Sequence, residues 1–260
     1  MSLHVECIGS GAPLVLLHGW GMHGGVWSDV AVKLAQNFCV HSIDLPGYGH
    51  SKNVEWIDVV ERMSAQFSEP VSVCGWSLGG QIAAQWALRE PAKVQRLILV
   101  ASTPCFVQRQ NWLTGMAADV FEKFAVELEQ NHAATLRRFI ALQLRGSENE
   151  RELLVQLRER LFSRGEPDII ALRAGLQVLN ELDLRAELAY IAQPTLVVAG
   201  ERDKLTPPQA SHYLAETLPA AQLLEIPGAA HAPFLSHPDI FVGAVNDFLK
   251  KSRAGNADQG

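Results

Sequence analysis

The sequence predicts an α/β fold, a mostly parallel central sheet flanked by helices, with an all-helical insertion between two of its strands. Short runs rich in leucine, valine and isoleucine alternate with longer amphipathic stretches, the pattern of parallel strands joined by crossover helices. Between about 106 and 189 that alternation stops and only helical periodicity remains, after which the sheet pattern resumes at Pro194-Thr195-Leu196. A chain of 260 residues is long enough for one large domain with an inserted subdomain.

Taken in order, the apolar runs place strands at 14–17, 39–43, 71–74, 97–101, 195–199 and 223–226. Runs this apolar expect helices on both faces of the sheet. The helices are expected at 27–36, 57–67, 78–89, 208–218 and 240–250, and in the insertion at 120–129, 133–144, 150–162 and 167–180. The division is therefore a core over 1–105 and 189–250, a helical lid over 106–188 and a loose polar tail over 251–260. A helical insertion at this point reads as a lid over the carboxyl edge of the sheet, where ligands bind in open α/β folds.

Composition removes several classes of function. Hydrophobic residues make up 48% and charged residues 19%, far from the signature of disorder. A formal net charge of -6, with no basic patch carrying interleaved aromatics, argues against nucleic acid as a partner. The amino terminus, Met1-Ser2-Leu3-His4-Val5-Glu6-Cys7, has no secretory leader pattern, so a cytoplasmic location is expected. Apolar runs fall well short of the roughly 18 residues of a membrane span, so no membrane role is expected. The four cysteines, Cys7, Cys39, Cys74 and Cys105, are scattered without CxxC or metal-ligand spacing and read as reduced, mostly buried thiols.

Gly75-Trp76-Ser77-Leu78-Gly79 matches G-x-S-x-G and stands between a strand and a helix, the setting in which that motif carries weight. A sharp turn there lifts the serine hydroxyl clear of the sheet and sets it at a helix amino terminus, where free N–H groups stabilise negative charge. A serine needs a base, usually a histidine oriented by a carboxylate. Late in the chain, His231 in the loop after the last strand is the better base than His212, inside a helix, or His237, beside Pro238. Asp203, a short turn beyond strand 195–199, is preferred as the acid, with Glu201 the alternative. The oxyanion of a tetrahedral intermediate would be met by the backbone N–H of Leu78 and of Trp20, in the loop His18-Gly19-Trp20-Gly21 after the first strand run. His18 is expected to brace that loop.

With Leu17-His18-Gly19-Trp20-Gly21, Asp44-Leu45-Pro46-Gly47-Tyr48-Gly49-His50-Ser51, Gly75-Trp76-Ser77-Leu78-Gly79-Gly80, Ala101-Ser102-Thr103-Pro104-Cys105-Phe106 and Gly228-Ala229-Ala230-His231-Ala232-Pro233-Phe234, the chain resembles the BioH carboxylesterases. These are α/β-hydrolases, pimeloyl-[acyl-carrier protein] methyl ester esterases of biotin synthesis, and the likeness runs from about Leu14 to Leu249. The resemblance implies a triad of Ser77, Asp203 and His231, an oxyanion site at Trp20 and Leu78, and substrate contacts from Phe139, Ile140, Ala141, Leu142 and Gln143. It implies release of methanol from a pimeloyl methyl ester on an acyl carrier protein; separately, a monomer is expected, although the sequence does not give the oligomeric state. Acyl transfer through serine to water needs no metal or organic cofactor.

The segment from Arg137 to Arg164 holds seven arginines against Glu148, Glu150, Glu152 and Glu159, so it carries +3 while the rest carries -9. Acyl carrier proteins are acidic, and a basic lid would steer one to the entrance. Arg138 and Arg151 match basic positions of the family's lid, and Arg158 joins them as a docking candidate. Two alternatives stay open at the level of sequence. One is a short-chain esterase or other hydrolase of this fold with a different substrate; the other is a ligand-binding protein of the same fold without turnover.

Overall fold

The computed structural model describes residues 3–165 and 167–250. The tail expected over 251–260 lies outside the described residues, as do Met1, Ser2 and Glu166. In chain order the strands are β1 (Val5–Gly9), β2 (Pro13–Leu17), β3 (Cys39–Ile43), β4 (Val71–Trp76), β5 (Val94–Val100), β6 (Thr195–Gly200) and β7 (Ala221–Ile226). They form one sheet in the order β1-β3-β2-β4-β5-β6-β7, in which β1 runs antiparallel to β3 and every other pairing is parallel.

The buried centre of the sheet follows from its sequence. Leu14 to Leu17, Val73 to Trp76 and Leu97 to Val100 are all buried, so helices must cover both faces. Before the insertion the helices of the core are α1 (Ser28–Leu34), α2 (Val59–Ser64) and α3 (Leu78–Arg89). The insertion itself holds α4 (Ala118–Gln130), α5 (His132–Leu144), α6 (Glu150–Phe162) and α7 (Ile169–Glu181); then follow α8 (Pro208–Thr217), α9 (Pro233–Ser236) and α10 (Pro238–Lys250). Helix α3 packs on β4 and β5, α8 on β6 and β7, and α1 on α10. Trp27 closes the seam beside α1 with its ring 4.1 Å from Phe234 and 6.2 Å from Phe241.

The structure departs from the sequence expectation in three ways. Strand β1 is added at the sheet edge, where Glu6, Cys7, Ile8 and Gly9 face solvent and leave no apolar signature. The helices expected at 27–36 and 57–67 are each shorter and preceded by a 3-10 turn, Gly24–Trp27 and Trp56–Asp58. Strand β4 continues to Trp76, directly to the serine. Among the described residues no helix is long and apolar enough to cross a membrane.

The expectation of mostly buried cysteines holds for Cys74 and Cys105 only. Cys7 is exposed and Cys39 half-buried, and the antiparallel pairing of β1 with β3 brings their sulfurs to 3.2 Å although 32 positions separate them in sequence.

Candidate active site

Strand β4 hands directly to α3 through Ser77, which holds φ 54° and ψ -117°, a left-handed conformation that non-glycine residues rarely adopt. Its N–H donates to the Val100 carbonyl (2.9 Å), and the Ser102 hydroxyl donates to the Ser77 carbonyl (2.9 Å), so both sides of the strained peptide are bonded. The turn is tight enough that a Cβ on Gly75 would overlap the backbone of Gly79, which is why the motif needs glycine there. Trp76 serves a second purpose: its Nε1–H donates to the His231 carbonyl at 2.7 Å, tying the strand before the serine to the histidine loop.

Asp203 and His231 meet in the interior. His231 Nδ1 lies 2.8 Å from Asp203 Oδ2, and both side chains are 1% exposed. The other carboxylate oxygen, Oδ1, accepts the N–H groups of Leu205 (2.8 Å) and Thr206 (3.0 Å). The Thr206 hydroxyl stands 2.8 Å from Asp203 Oδ2, 2.9 Å from the Ala101 carbonyl and 3.2 Å from His231 Nδ1. With Nδ1 carrying its proton toward the carboxylate, Nε2 keeps its lone pair; it is buried and has no hydrogen-bond partner among the described residues. An unpartnered ring nitrogen held by Asp203 through its opposite nitrogen can serve as general base to a hydroxyl brought within hydrogen-bond reach. Sequence reading missed Thr206, although a threonine three residues after an aspartate on a strand-end loop is a signal for this kind of turn.

The rival candidates sit elsewhere. His212 on α8 binds Glu225 at 2.6 Å, His237 Nδ1 binds Ser236 at 2.9 Å, and Glu201 accepts the Gly228 N–H at 2.8 Å. None of them reaches His231 or Asp203 by a hydrogen bond.

The loop after β2 lies against the serine: a Cβ on Gly19 would sit 3.3 Å from Ser77 Cβ. The backbone of Gly19, next to Trp20, therefore packs against the Ser77 side chain. His18 braces this loop. The Leu45 N–H donates to His18 Nε2 at 2.9 Å, which fixes the proton on Nδ1 and makes that nitrogen the donor to the Gly19 carbonyl at 2.8 Å. Burial pushes its pKa down to about 4, only partly offset by the nearby Asp44 carboxylate, so the ring is neutral at pH 7.

The insertion meets the core at the same place. The Trp20 indole donates to the Leu172 carbonyl on α7 at 2.9 Å and sets its ring edge-on to Phe124 of α4 (5.5 Å) and Phe139 of α5 (4.9 Å). The Gln143 carbonyl accepts the His231 N–H at 3.0 Å, while its side-chain Oε1 is buried without a partner. Of the five expected contacts on α5, Phe139 and Gln143 thus touch site residues and Ile140 is buried in the core. Ala141 and Leu142 instead line an open groove of about 510 Å³ with Phe124, Phe139, Arg138 and Arg145.

The charges of the insertion are not all free. Arg164, following α6, reaches both oxygens of the fully buried Asp44 at 2.9 and 2.7 Å and also binds Glu6; Arg160 binds Asp29 and the Val26 carbonyl (3.1 Å). Burial alone would raise the Asp44 pKa, but the N–H groups of His50 and Gly24 and the Arg164 guanidinium hold it below the usual carboxylate range. Arg138 pairs with Glu127 at 2.6 Å. Arg137, Arg145, Arg151 and Arg158 are exposed and form no ion pair among the described residues.

Comparison with known proteins places this geometry. Residues 12–238 match the α/β-hydrolase fold family. A pimeloyl-[acyl-carrier protein] methyl ester esterase from Nitrosomonas europaea is 44% identical over 249 residues, covering 94% of this chain and 98% of that protein. One of the same description from Chromobacterium violaceum is 46% identical over 253 residues, covering 96% and 99%. Among solved structures, an esterase from Exiguobacterium antarcticum superimposes with a TM-score of 0.87 at 24% identity over 95% of each chain, a likeness of fold.

Proposed function

The chain belongs to the α/β-hydrolase fold family and, within it, to the pimeloyl-[acyl-carrier protein] methyl ester esterases, and from that premise we propose how its own residues carry out the reaction. It is a carboxylic ester hydrolase that converts the methyl ester of pimeloyl-[acyl-carrier protein] to pimeloyl-[acyl-carrier protein] and methanol, the esterase step of biotin synthesis. The observation that carries the mechanism is the buried Asp203–His231 pair with its open Nε2, whose loop is tied by Trp76 to the strand that ends on the strained Ser77 turn.

Ser77 Oγ attacks the ester carbonyl carbon as its proton passes to His231 Nε2, and Asp203 stabilises the imidazolium that forms. The N–H groups of Leu78 and Trp20 receive the negative oxygen of the tetrahedral intermediate. Its collapse breaks the bond to the methoxy oxygen, which leaves as methanol with the proton from His231. Water, deprotonated by the same nitrogen, then attacks the acyl carbon; the bond to Ser77 Oγ breaks, the serine takes the proton back from His231, and the carboxylate is released. Thr206 positions Asp203, and Trp76 holds the His231 loop to the strand that bears the serine.

The helices α4 to α7 act as the lid. Phe124, Phe139 and Leu142 give the groove on the lid an apolar strip for a methylene chain, between the charged Lys123, Glu127, Arg145 and Glu150. Arg137, Arg145, Arg151 and Arg158, exposed and without an ion pair among the described residues, offer positive charge to an acidic carrier protein, the partner of this reading. Arg138 is half committed to Glu127, and Arg160 and Arg164 are committed to the core.

The test is direct. Purified enzyme given the pimeloyl methyl ester on its carrier should release one methanol per new carboxylate, and should restore biotin-independent growth to a bacterium lacking its own esterase. A soluble protein that hydrolyses p-nitrophenyl esters but does neither would overturn the substrate. A folded protein whose Ser77 takes no label from a fluorophosphonate probe would overturn the nucleophile.

A further inference from the structure

The edge of the sheet far from Ser77 in sequence carries a cluster that the esterase chemistry does not use. Cys7 on β1 stands opposite His41 on β3, and Cys39 lies two residues before His41, so all three side chains share one face of the antiparallel pair. Cys7 Sγ is 3.2 Å from Cys39 Sγ and 4.0 Å from His41 Nε2, and the three ligand atoms all lie within 4.8 Å of one another. Cys7 is exposed and the other two are half-buried, so solvent and ions reach them.

We propose that Cys7, Cys39 and His41 form a binding site for a thiophilic metal ion of the Zn2+ class, clamping the edge strand β1 to β3. Two thiolates and an imidazole are the donors such ions select over oxygen ligands. Around a tetrahedral zinc with Zn–S near 2.3 Å and Zn–N near 2.0 Å, the sulfurs stand about 3.7 Å apart and sulfur and nitrogen about 3.5 Å. Reaching that geometry asks Cys7 and Cys39 to part by about half an ångström, Cys7 and His41 to close by a similar amount, and Cys39 and His41, whose ligand atoms lie within 4.8 Å, to close by up to about 1.3 Å, all movements of side chains. The ring of His41 is already oriented by edge-on contact with Phe67 at 5.0 Å. On binding, both thiol protons leave to solvent and a water fills the fourth position.

A disulfide fits the same cysteines less well. Cys7 pairs with His41 and Cys39 with Gly9, so the cysteines are diagonal neighbours. Diagonal positions in an antiparallel pair stand about 7–8 Å apart between Cα atoms, beyond the usual disulfide span of roughly 4.4–6.8 Å. A metal bridges that gap where an S–S bond would distort the strands.

The experiment uses the reduced, metal-free full chain, titrated with Co2+ and followed by thiolate-to-cobalt charge-transfer absorption, with Zn2+ added afterwards. One equivalent of Co2+ should bring up the band and Zn2+ should displace it. Cys7→Ser and His41→Gln should each weaken Co2+ binding by at least about tenfold, the size of effect seen even for groups that only support a ligand. Both variants should keep p-nitrophenyl ester turnover, which reports an intact fold. Wild-type protein without the band, variants that bind as tightly as wild type, or a Cys7–Cys39 disulfide that forms in the presence of excess Zn2+ would each overturn the site.

Discussion

Around Ser77, Asp203 and His231 the structure is held by short, buried hydrogen bonds between loops that leave the carboxyl ends of β4, β6 and β7, whereas across α4 to α7 it is held by apolar packing and a few ion pairs. Asp203 alone accepts from two N–H groups, a hydroxyl and an imidazole. In the insertion, by contrast, Val120, Val126, Leu142, Val155 and Ile170 stand open to solvent. The difference separates two demands on one enzyme. Chemistry needs donors and acceptors fixed before the substrate arrives, and recognition of a flexible acyl chain and its carrier needs surface that can adapt.

The sharpest way to break this comparison is to remove chemistry without touching the lid. Ser77→Ala should lower kcat on the order of 10^6-fold, and Asp203→Asn by about 10^4-fold through the wrong tautomer of His231, both with near-native melting temperatures. Steady-state turnover of a p-nitrophenyl ester with parallel thermal melts checks this. Residual activity near wild type in Ser77→Ala would point to another nucleophile.

Next in size is the junction between the two regions. Asp44 is fully buried and pairs with the Arg164 guanidinium, the one such partner among the described residues, so Arg164→Met strands a charge in the interior. Loss of one member of a buried pair costs about 3–5 kcal/mol, on the order of 10 °C in melting temperature for a chain of this length. Adding Asp44→Asn in the same chain should recover part of that loss. If the single variant melts like wild type, the pair does not anchor the insertion.

What the sequence disclosed divides along the same line. The pairing of Asp203 with His231, and the strained turn at Ser77, were legible because each residue follows a strand and carries chemistry that few residue types supply, and the proposed triad rests on them. Residues whose role depends on a distant partner were not. Nothing in Arg164 distinguishes it from Arg158, yet one is sealed against Asp44, 120 positions away, and the other faces solvent. The role of Trp76 was hidden for a related reason, since its partner is a backbone carbonyl that only the fold brings near, whereas Thr206, three residues after Asp203, left a local signal. Strand β1 escaped because an exposed edge strand has no apolar alternation to read.

A smaller effect tests the fixed region through pH. The folded pKa of His18 is lowered to about 4 from about 6.5, and burial lowers those of His23 and His41 as well. Below pH 6.5 the unfolded chain therefore binds protons that the folded chain refuses, and stability falls as pH drops toward 4. His18 alone accounts for up to about 3 kcal/mol of that loss. Denaturant melts at pH 7 and pH 5 should show the decline, and His18→Asn, less stable at pH 7, should show a shallower one. An equal slope in the variant would assign the decline to other groups.

The smallest expected effect belongs to the adaptable region, and it separates docking from chemistry. Arg151 and Arg158 are exposed and unpaired among the described residues, so their charge is available to a partner without first breaking an internal bond. Exposed charge pairs contribute roughly 0.2–1 kcal/mol each, so Arg151→Glu and Arg158→Glu should each raise KM for the carrier-linked ester by a few-fold. Because such charges act on encounter and not on the tetrahedral intermediate, kcat should stay and the p-nitrophenyl ester should be hydrolysed as by wild type. Raising ionic strength toward 1 M shortens the Debye length to about 3 Å and should erase the difference between variant and wild type on the carrier substrate. A variant that slows both substrates alike, or whose defect survives high salt, would mean that these arginines shape the lid and not its encounter with an acidic partner.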